Sequence, residues 1–366
     1  FAFAESPRQS GVLWAGSDDG FVQVSRDNGA SWTKVTPPDL PEFALVSIID
    51  PSPHDAGTAY VAATRYKLQD NKPYLYKTSD YGRTWTKIVT GIPDHDFTRV
   101  IREDPGRKGL LYAGTETGVY VSFDDGGHWQ PLQLNLPVVP VHDLVVKDGD
   151  LVAATHGRSF WILDNVALLH QMTPQALSDA AHLFQPRTTI RYGRGASLAG
   201  NFAGAPNIDG ANPPNGVVVP FYLKERPTAP VTLTISKESG PGAGVIRTVT
   251  LAPEGAAPAG PRGAVARAGA NTFLWDMRYP APTVLSGAVF QGRAAGPVAP
   301  PGTYTFELSV NGQTTRTTAA IVKDPRLSYS DADLESQFMF LMDVRDRLTE
   351  TMAVVKQVRD TRQMAE

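Results

Sequence analysis

The chain has 366 residues, 42% hydrophobic and 19% charged, which is the composition of a globular protein of about two or three domains. A net charge of −3 with no block of like charges argues against nucleic acid or an anionic membrane as the main partner. With no cysteine, disulfides and thiolate metal sites are excluded, and no apolar run approaches the ~18 residues that a membrane span needs.

From the start of the chain the sequence repeats itself. "GVLWAGSDDGFVQVSRDNGASW", "GTAYVAATRYKLQDNKPYLYKTSDYGRTW" and "GLLYAGTETGVYVSFDDGGHW" align with one another, and "GDLVAATHGRSFWILDNV" keeps only the front half of the pattern. The three complete copies share Ser/Thr-x-Asp-x-Gly-x-x-Trp, carried by Ser25, Asp27, Gly29 and Trp32, by Thr78, Asp80, Gly82 and Trp85, and by Ser122, Asp124, Gly126 and Trp129. An apolar stretch precedes each later copy ("FALVSIIDP", "FTRVIREDP", "VHDLVVKDG"). The result is about four short strands per unit of roughly 45 residues, the pattern of a β-propeller blade. The motif reads as a structural turn. Asp27, Asp80 and Asp124 are expected to accept hydrogen bonds from N–H groups two or three residues on. Each glycine suits a left-handed backbone position, and each tryptophan is expected to bury its ring between neighbouring sheets.

After residue 165 the pattern changes. Residues 166–215 read as a linker with a short helix and a long loop rich in Gly, Ala, Asn and Pro. Six period-2 runs between 216 and 325, with an Asn-Gly hairpin at "SVNGQT", predict a β-sandwich of the immunoglobulin or fibronectin-III kind with Trp275 as core anchor. A further long loop is read at 281–301. From 326 to 366 the period becomes helical. Asp331 and Asp333 suit the N-terminus, and Leu334, Phe338, Leu341, Leu348, Met352 and Val355 form the apolar face of an amphipathic helix of about 30 residues. The fold class is therefore mainly β: propeller blades over 1–165, a sandwich, and a C-terminal amphipathic helix.

The repeated motif resembles the Asp box, or bacterial neuraminidase (BNR) repeat, of sialidases, xyloglucanase-type glycoside hydrolases and the sortilin/Vps10 propeller. "AATHGRSFWILDN", "LFQPR", "NPPNG", "FLWDMRYP" and "VKDPR" extend the resemblance to a bacterial family of large secreted Asp-box propellers, often labelled glycosyl hydrolase. This chain resembles their C-terminal portion. The resemblance implies a secreted or periplasmic protein whose missing blades come from the same longer polypeptide or from another chain. It also implies a glycan or protein ligand. The competing implication is a glycoside hydrolase whose catalytic residues lie on blades this chain lacks. The sequence supplies no Arg-Ile-Pro signature and no carboxylate pair shown to face one another, so no catalytic residue is assigned.

The blade register places a binding face. Connections between second and third strands supply Asp18, Asp19, Arg65, Tyr66, Lys67, Asp70, Glu116, His156 and Arg158. Connections between blades supply Asp96, Arg99, His142 and Asp143. Tyr66, Lys67, Arg99, Glu116, His142, His156 and Arg158 are the ligand-binding candidates. Arg158 has a competing role in a salt bridge, with Gly157 making a turn. His142 and His156 lack a clear third ligand, so no metal and no cofactor is assigned.

Overall fold

The computed structural model describes residues 1–192, 213–255, 265–287 and 294–365, and these are mainly β. Residues 193–212 of the 166–215 linker lie outside the described residues, as does 288–293 of the 281–301 loop. The chain divides into two compact units, Phe1–His170 and Gln171–Glu366.

The first unit is a series of antiparallel meanders. β1 (Ala2–Glu5), β2 (Leu13–Gly16), β3 (Val22–Ser25) and β4 (Thr33–Lys34) form the first sheet, and β5 (Leu45–Pro51), β6 (Ala59–Arg65), β7 (Asp70–Thr78) and β8 (Thr86–Lys87) the second. β9 (Thr98–Glu103), β10 (Leu111–Thr115), β11 (Val119–Ser122) and β12 (Gln130–Pro131) form the third. The fourth has three strands, β13 (Val141–Lys147), β14 (Asp150–Thr155) and β15 (Phe160–Leu163). The leading strands lie side by side, β1 with β5, β5 with β9 and β9 with β13, so the sheets stack as propeller blades do.

This stacking explains why the middle sheets are apolar on both faces. In β6, Ala59, Val61 and Ala63 pack with Trp14 and Val24 of the first sheet, whereas Tyr60 and Ala62 pack with Leu111, Ala113 and Trp129 of the third. Strands buried on both sides lose the simple apolar–polar alternation. β10 and β13 approach so closely that a Cβ on Gly114 would meet the Val141 carbonyl oxygen at 2.9 Å. Arg102 on β9 ties three leading strands together. Its guanidinium donates to Asp50 of β5 at 3.0 Å, to Asp143 of β13 at 2.7 Å and to the Leu144 carbonyl at 2.9 Å.

The repeated motif is one hydrogen-bonded turn built three times. The Ser/Thr hydroxyl donates to the Asp (2.8, 2.8 and 2.7 Å) and accepts from the glycine N–H four residues on (2.8, 2.9 and 3.0 Å). The Asp accepts the N–H four residues beyond itself, from Ser31, Thr84 and His128 at 2.8–2.9 Å. This corrects the expected reach of two or three residues: the hydroxyl takes the nearer N–H, leaving the farther one to the carboxylate. The residue before each glycine is also left-handed: Asn28, Tyr81 and Asp125 have φ of 59–61°. Their N–H groups bond the carbonyls of Gly11, Gly57 and Gly109, closing each turn on the start of its own second strand.

The tryptophans do not share one environment. Trp129 is fully buried and donates its indole N–H to the Ile88 carbonyl of the preceding sheet at 2.7 Å; Trp85 does the same to Val35 at 2.6 Å and is partly buried. Trp32 corrects the expectation of a buried ring. It is 38% exposed, because no sheet among the described residues covers it as the first and second sheets cover Trp85 and Trp129. Its contact is with the exposed ring of Phe3.

A short helix, α1 (Ala167–Gln171), follows β15. In the second unit, α2 (Pro174–Ser178) is capped by Thr173. β16 (Ala181–Leu183), β18 (Val217–Leu223) and β22 (Gly269–Trp275) form one sheet. The other has six strands in the order β17 (Thr189–Arg191), β24 (Gln313–Lys323), β23 (Gly302–Val310), β19 (Val231–Lys237), β20 (Gly244–Pro253) and β21 (Val265–Ala266). Part of 166–215, read as linker, is thus strand. Both sheets feed one core, in which Trp275 meets Tyr304 and Phe306 edge-on at 5.1 and 5.9 Å. Asn311 and Gly312, both left-handed, turn β23 into β24.

α3 (Asp331–Ala365) starts at Ser330, whose hydroxyl and N–H exchange hydrogen bonds with Asp333. Phe338 is its buried anchor, against Tyr279 at 4.7 Å, and Leu334, Met342, Leu348, Met352 and Val355 continue that side. Leu341, expected on the packed face, is exposed, and Met342 holds its place.

Candidate functional site

Five of the seven residues singled out above converge on one face of the first unit, and the connections between strands explain how. Tyr66 opens a single 3-10 turn, Tyr66–Leu68, which closes on left-handed Gln69. Asp70 holds the turn by accepting from the Tyr74 hydroxyl at 2.7 Å and the Lys72 N–H at 3.3 Å, and Arg65 pairs with it at 3.4 Å. The Tyr66 ring stacks on Phe97 with centroids 4.9 Å apart and planes 13° from parallel. Phe97 is buried and Tyr66 is 39% exposed, so one ring is the floor and the other presents itself to solvent.

Arg99 lies against both rings, 5.3 Å from the Tyr66 centroid and 4.9 Å from that of Phe97, within cation–π range. Its Nε and Nη2 both donate to Oε2 of Glu116, at 2.8 and 2.5 Å. The loop behind is fixed by Asp96, which accepts from the hydroxyls of Thr115, Thr117 and Tyr120. The Glu116 N–H bonds the Phe97 carbonyl, which sets Glu116 beside Arg99.

Beyond Arg99, His142 at the start of β13 and His156 after β14 meet edge to face at 5.0 Å. His156 is placed by its N–H bond to the Pro140 carbonyl at 2.9 Å. Burial pulls the His142 pKa below its ordinary value, and the charges of Arg99 and His156 add to this against an opposing pull from Glu116. The imidazole is therefore held neutral at neutral pH, as a hydrogen-bonding group beside an ion pair. No group of three or more His, Cys, Asp or Glu with ligating geometry occurs among the described residues.

Lys67 and Arg158 are exposed on the same connections. Lys67 flanks Tyr66 in the turn. Arg158 lies in the β14–β15 connection after left-handed Gly157, and its carbonyl accepts the Trp161 indole N–H at 3.0 Å. Phe97, the floor of the stack, escaped the sequence reading. Its signal was an aromatic residue two positions ahead of Arg99, just before β9 begins.

A buried cluster on the first unit also went unread. Asp104 accepts from the Gly106 and Arg107 N–H groups at 2.7 and 3.1 Å and from the Tyr112 hydroxyl at 2.9 Å, and pairs with His170 at 2.8 Å. Burial and the Asp104 charge drive the Tyr112 pKa upward. The cluster secures α1 to the third sheet.

No protein-family model matches this chain, and none of the curated proteins does. Solved structures give distant likenesses. YCF48 from Cyanidioschyzon merolae aligns over 45% of this chain and 52% of its own, at 16% identity and a TM-score of 0.35. YCF48 bound to D1 peptide aligns over 45% and 51%, at 18% identity and the same TM-score. The GH74 xyloglucanase from Xanthomonas campestris aligns over 86% of this chain and 44% of its own, at 12% identity and a TM-score of 0.37. The alignments thus span about half the length of these structures or less.

Proposed function

We propose that the first unit is a ligand-binding module of the Asp-box propeller type, and that its ligand is a glycan held on the Tyr66 face. The observation that carries this is the Tyr66–Phe97 stack, braced by Arg99 and bordered by Glu116, His142 and His156. A preordered ring with one open face gives a sugar's C–H face something flat to pack on at little entropic cost, and the bordering groups offer donors and acceptors to its hydroxyls. In this reading Lys67 and Arg158 are outer contacts. The second unit, read as an immunoglobulin-like sandwich, serves as a spacer, and the whole is secreted or periplasmic. No helix among the described residues is long and apolar enough to cross a membrane.

Binding is favoured over glycoside hydrolysis because the carboxylates nearest the Tyr66 stack are already engaged. Glu116 is paired with Arg99, Asp70 with Arg65 and Tyr74, Asp143 with Arg102, and Asp96 with three hydroxyls. A hydrolase needs one carboxyl protonated and a second facing it across the scissile bond. Blades carried elsewhere in a longer polypeptide would be the place for such a pair.

The test is a glycan array probed with the native chain and with Tyr66→Ala. Specific glycan binding lost in the variant, with an unchanged circular dichroism spectrum, supports the proposal. Binding that survives in Tyr66→Ala moves the site elsewhere, and an array blank for the native chain together with capture of a peptide ligand on this face replaces glycan by protein.

A further inference from the structure

The sequence holds three Asn-Gly pairs, Asn28-Gly29, Asn215-Gly216 and Asn311-Gly312, and the fold treats them differently. In such a pair the glycine backbone nitrogen can attack the asparagine side-chain Cγ and close a cyclic imide, because glycine puts no side chain in the way of the approach. The nitrogen must first give up its proton, and Cγ must be free to swing onto it. An engaged N–H or an enclosed side chain therefore stops the reaction.

Asn28-Gly29 is locked inside the repeated turn. The Asn28 N–H bonds the Gly11 carbonyl at 3.0 Å, and the Gly29 N–H, which would have to become the nucleophile, donates to the Ser25 hydroxyl at 2.8 Å. That hydroxyl donates in turn to the Asp27 carboxylate at 2.8 Å, whose charge further disfavours taking a proton from Gly29. Asn215-Gly216 is locked by packing. Gly216 is buried so close to β22 that a Cβ on it would meet the Trp275 carbonyl oxygen at 2.3 Å, and the Asn215 side-chain oxygen is buried as well.

Asn311-Gly312 has neither lock. It is the whole loop of the β23–β24 hairpin, whose last cross-strand pair is Val310 with Gln313, so the Gly312 N–H stands outside the ladder. Both residues are exposed, and a Cβ on Gly312 would have open space around it. Their left-handed backbone, with φ of 51° and 80°, is the turn that an Asn-Gly sequence favours. The dipeptide that makes this turn good is also the one that makes it reactive.

We infer that Asn311 is a site of spontaneous covalent modification, to aspartate and isoaspartate, and that the other two Asn-Gly pairs are spared by their surroundings. The Gly312 nitrogen gives up its proton and bonds to Asn311 Cγ. The Cγ–Nδ2 bond breaks, and the amide nitrogen leaves with that proton as ammonia. Water then opens the imide at either carbonyl. Opening at one carbonyl leaves a normal backbone with an aspartate side chain; opening at the other routes the backbone through the side chain and lengthens it by a carbon. Both products put a negative charge at the hairpin tip, and the lengthened form no longer fits a loop that must close Val310 onto Gln313.

The test is peptide mapping by mass spectrometry on the 366-residue chain, held folded in mildly alkaline buffer at physiological temperature and, in parallel, held in denaturant. In the folded chain, conversion is expected to be about tenfold or more faster at Asn311 than at Asn28 or Asn215, because each of those must first break a hydrogen bond or open a packed contact. In denaturant the three rates are expected to converge. Ser25→Ala, which frees the Gly29 N–H, is expected to speed conversion at Asn28 and to leave Asn311 unchanged. The inference is overturned if Asn28 or Asn215 converts as fast as Asn311 in the folded chain, or if Asn311 stays an amide there while the denatured chain converts. It is also overturned if Asn28 converts no faster in Ser25→Ala than in the native chain.

Discussion

The three motif tryptophans make a graded test of how the first unit is held together. If the motif were a self-contained turn, replacing each tryptophan by alanine would cost the same. The structure says otherwise: Trp129 is 1% exposed and bonds Ile88, Trp85 is partly buried and bonds Val35, and Trp32 is 38% exposed with an exposed ring for a neighbour. Truncating a buried tryptophan costs about 3–5 kcal/mol, from lost transfer energy plus the cavity left behind. Trp129→Ala also orphans the Ile88 carbonyl, at about 1–3 kcal/mol if water does not reach it. About 4 kcal/mol is therefore a conservative figure. In a unit of this size, about 1 kcal/mol shifts Tm by roughly 2–4 °C, so Trp129→Ala is expected to lower it by about 8–16 °C. Trp32→Ala removes a surface contact and is expected to cost about 1 kcal/mol or less, a shift of no more than about 2–4 °C. Trp85→Ala falls between. Scanning calorimetry on the 366-residue chain resolves these shifts. Equal shifts for the three, or the largest shift for Trp32, would refute the idea that each tryptophan works by docking on the sheet before it.

Asp80→Ala is expected to lower Tm without removing binding at the Tyr66 face, checked by calorimetry and by the array together. Hydrogen bonds from Ser31 and Ser25 hold the Asp27 carboxyl down to about 2, and those from Thr84 and Thr78 lower Asp80 too. Stability from these groups is thus fully present above the unfolded value near 3.8 and lost as pH falls through the lowered folded values, so acid melts of Asp80→Asn should lose less between pH 4 and 2 than the native chain. Arg102→Met strands Asp50, whose pKa burial already raises, and is expected to cost about 3–5 kcal/mol, read by denaturant titration at pH 7. His142 has a lowered folded pKa, so the unfolded chain takes up its proton first and stability falls as pH drops below about 6.5. His142→Gln should flatten that part of the pH–Tm curve.

The blades were legible because each is a local object. Strand, turn and motif follow one another along the chain, and a repeat in sequence needs only to be aligned with itself. The motif's inner geometry was half legible. Gly29, Gly82 and Gly126 announce a left-handed position, but Asn28, Tyr81 and Asp125 are left-handed too, and three such different side chains carry no common signal. Trp32 could not be told from Trp129, because burial depends on a neighbouring sheet and the motif does not encode its place in the stack. The same reason hid Arg102, whose partners Asp50 and Asp143 sit on leading strands of two other sheets.

The candidate site was legible to the extent that blade register converts sequence position into face. Tyr66, Arg99, Glu116, His142 and His156 come from three different sheets, and no local pattern relates them. What relates them is that each sits at the same end of its meander: Tyr66, Glu116 and His156 in connections, and Arg99 and His142, read as connection residues together with Asp143, on the first residues of β9 and β13, so that stacking the meanders brings them into a row. Register says nothing about reach. Lys67 and Arg158 share those connections and make no comparable contact among the described residues, whereas Phe97, which the sequence reading did not single out, is the ring on which Tyr66 and Arg99 rest.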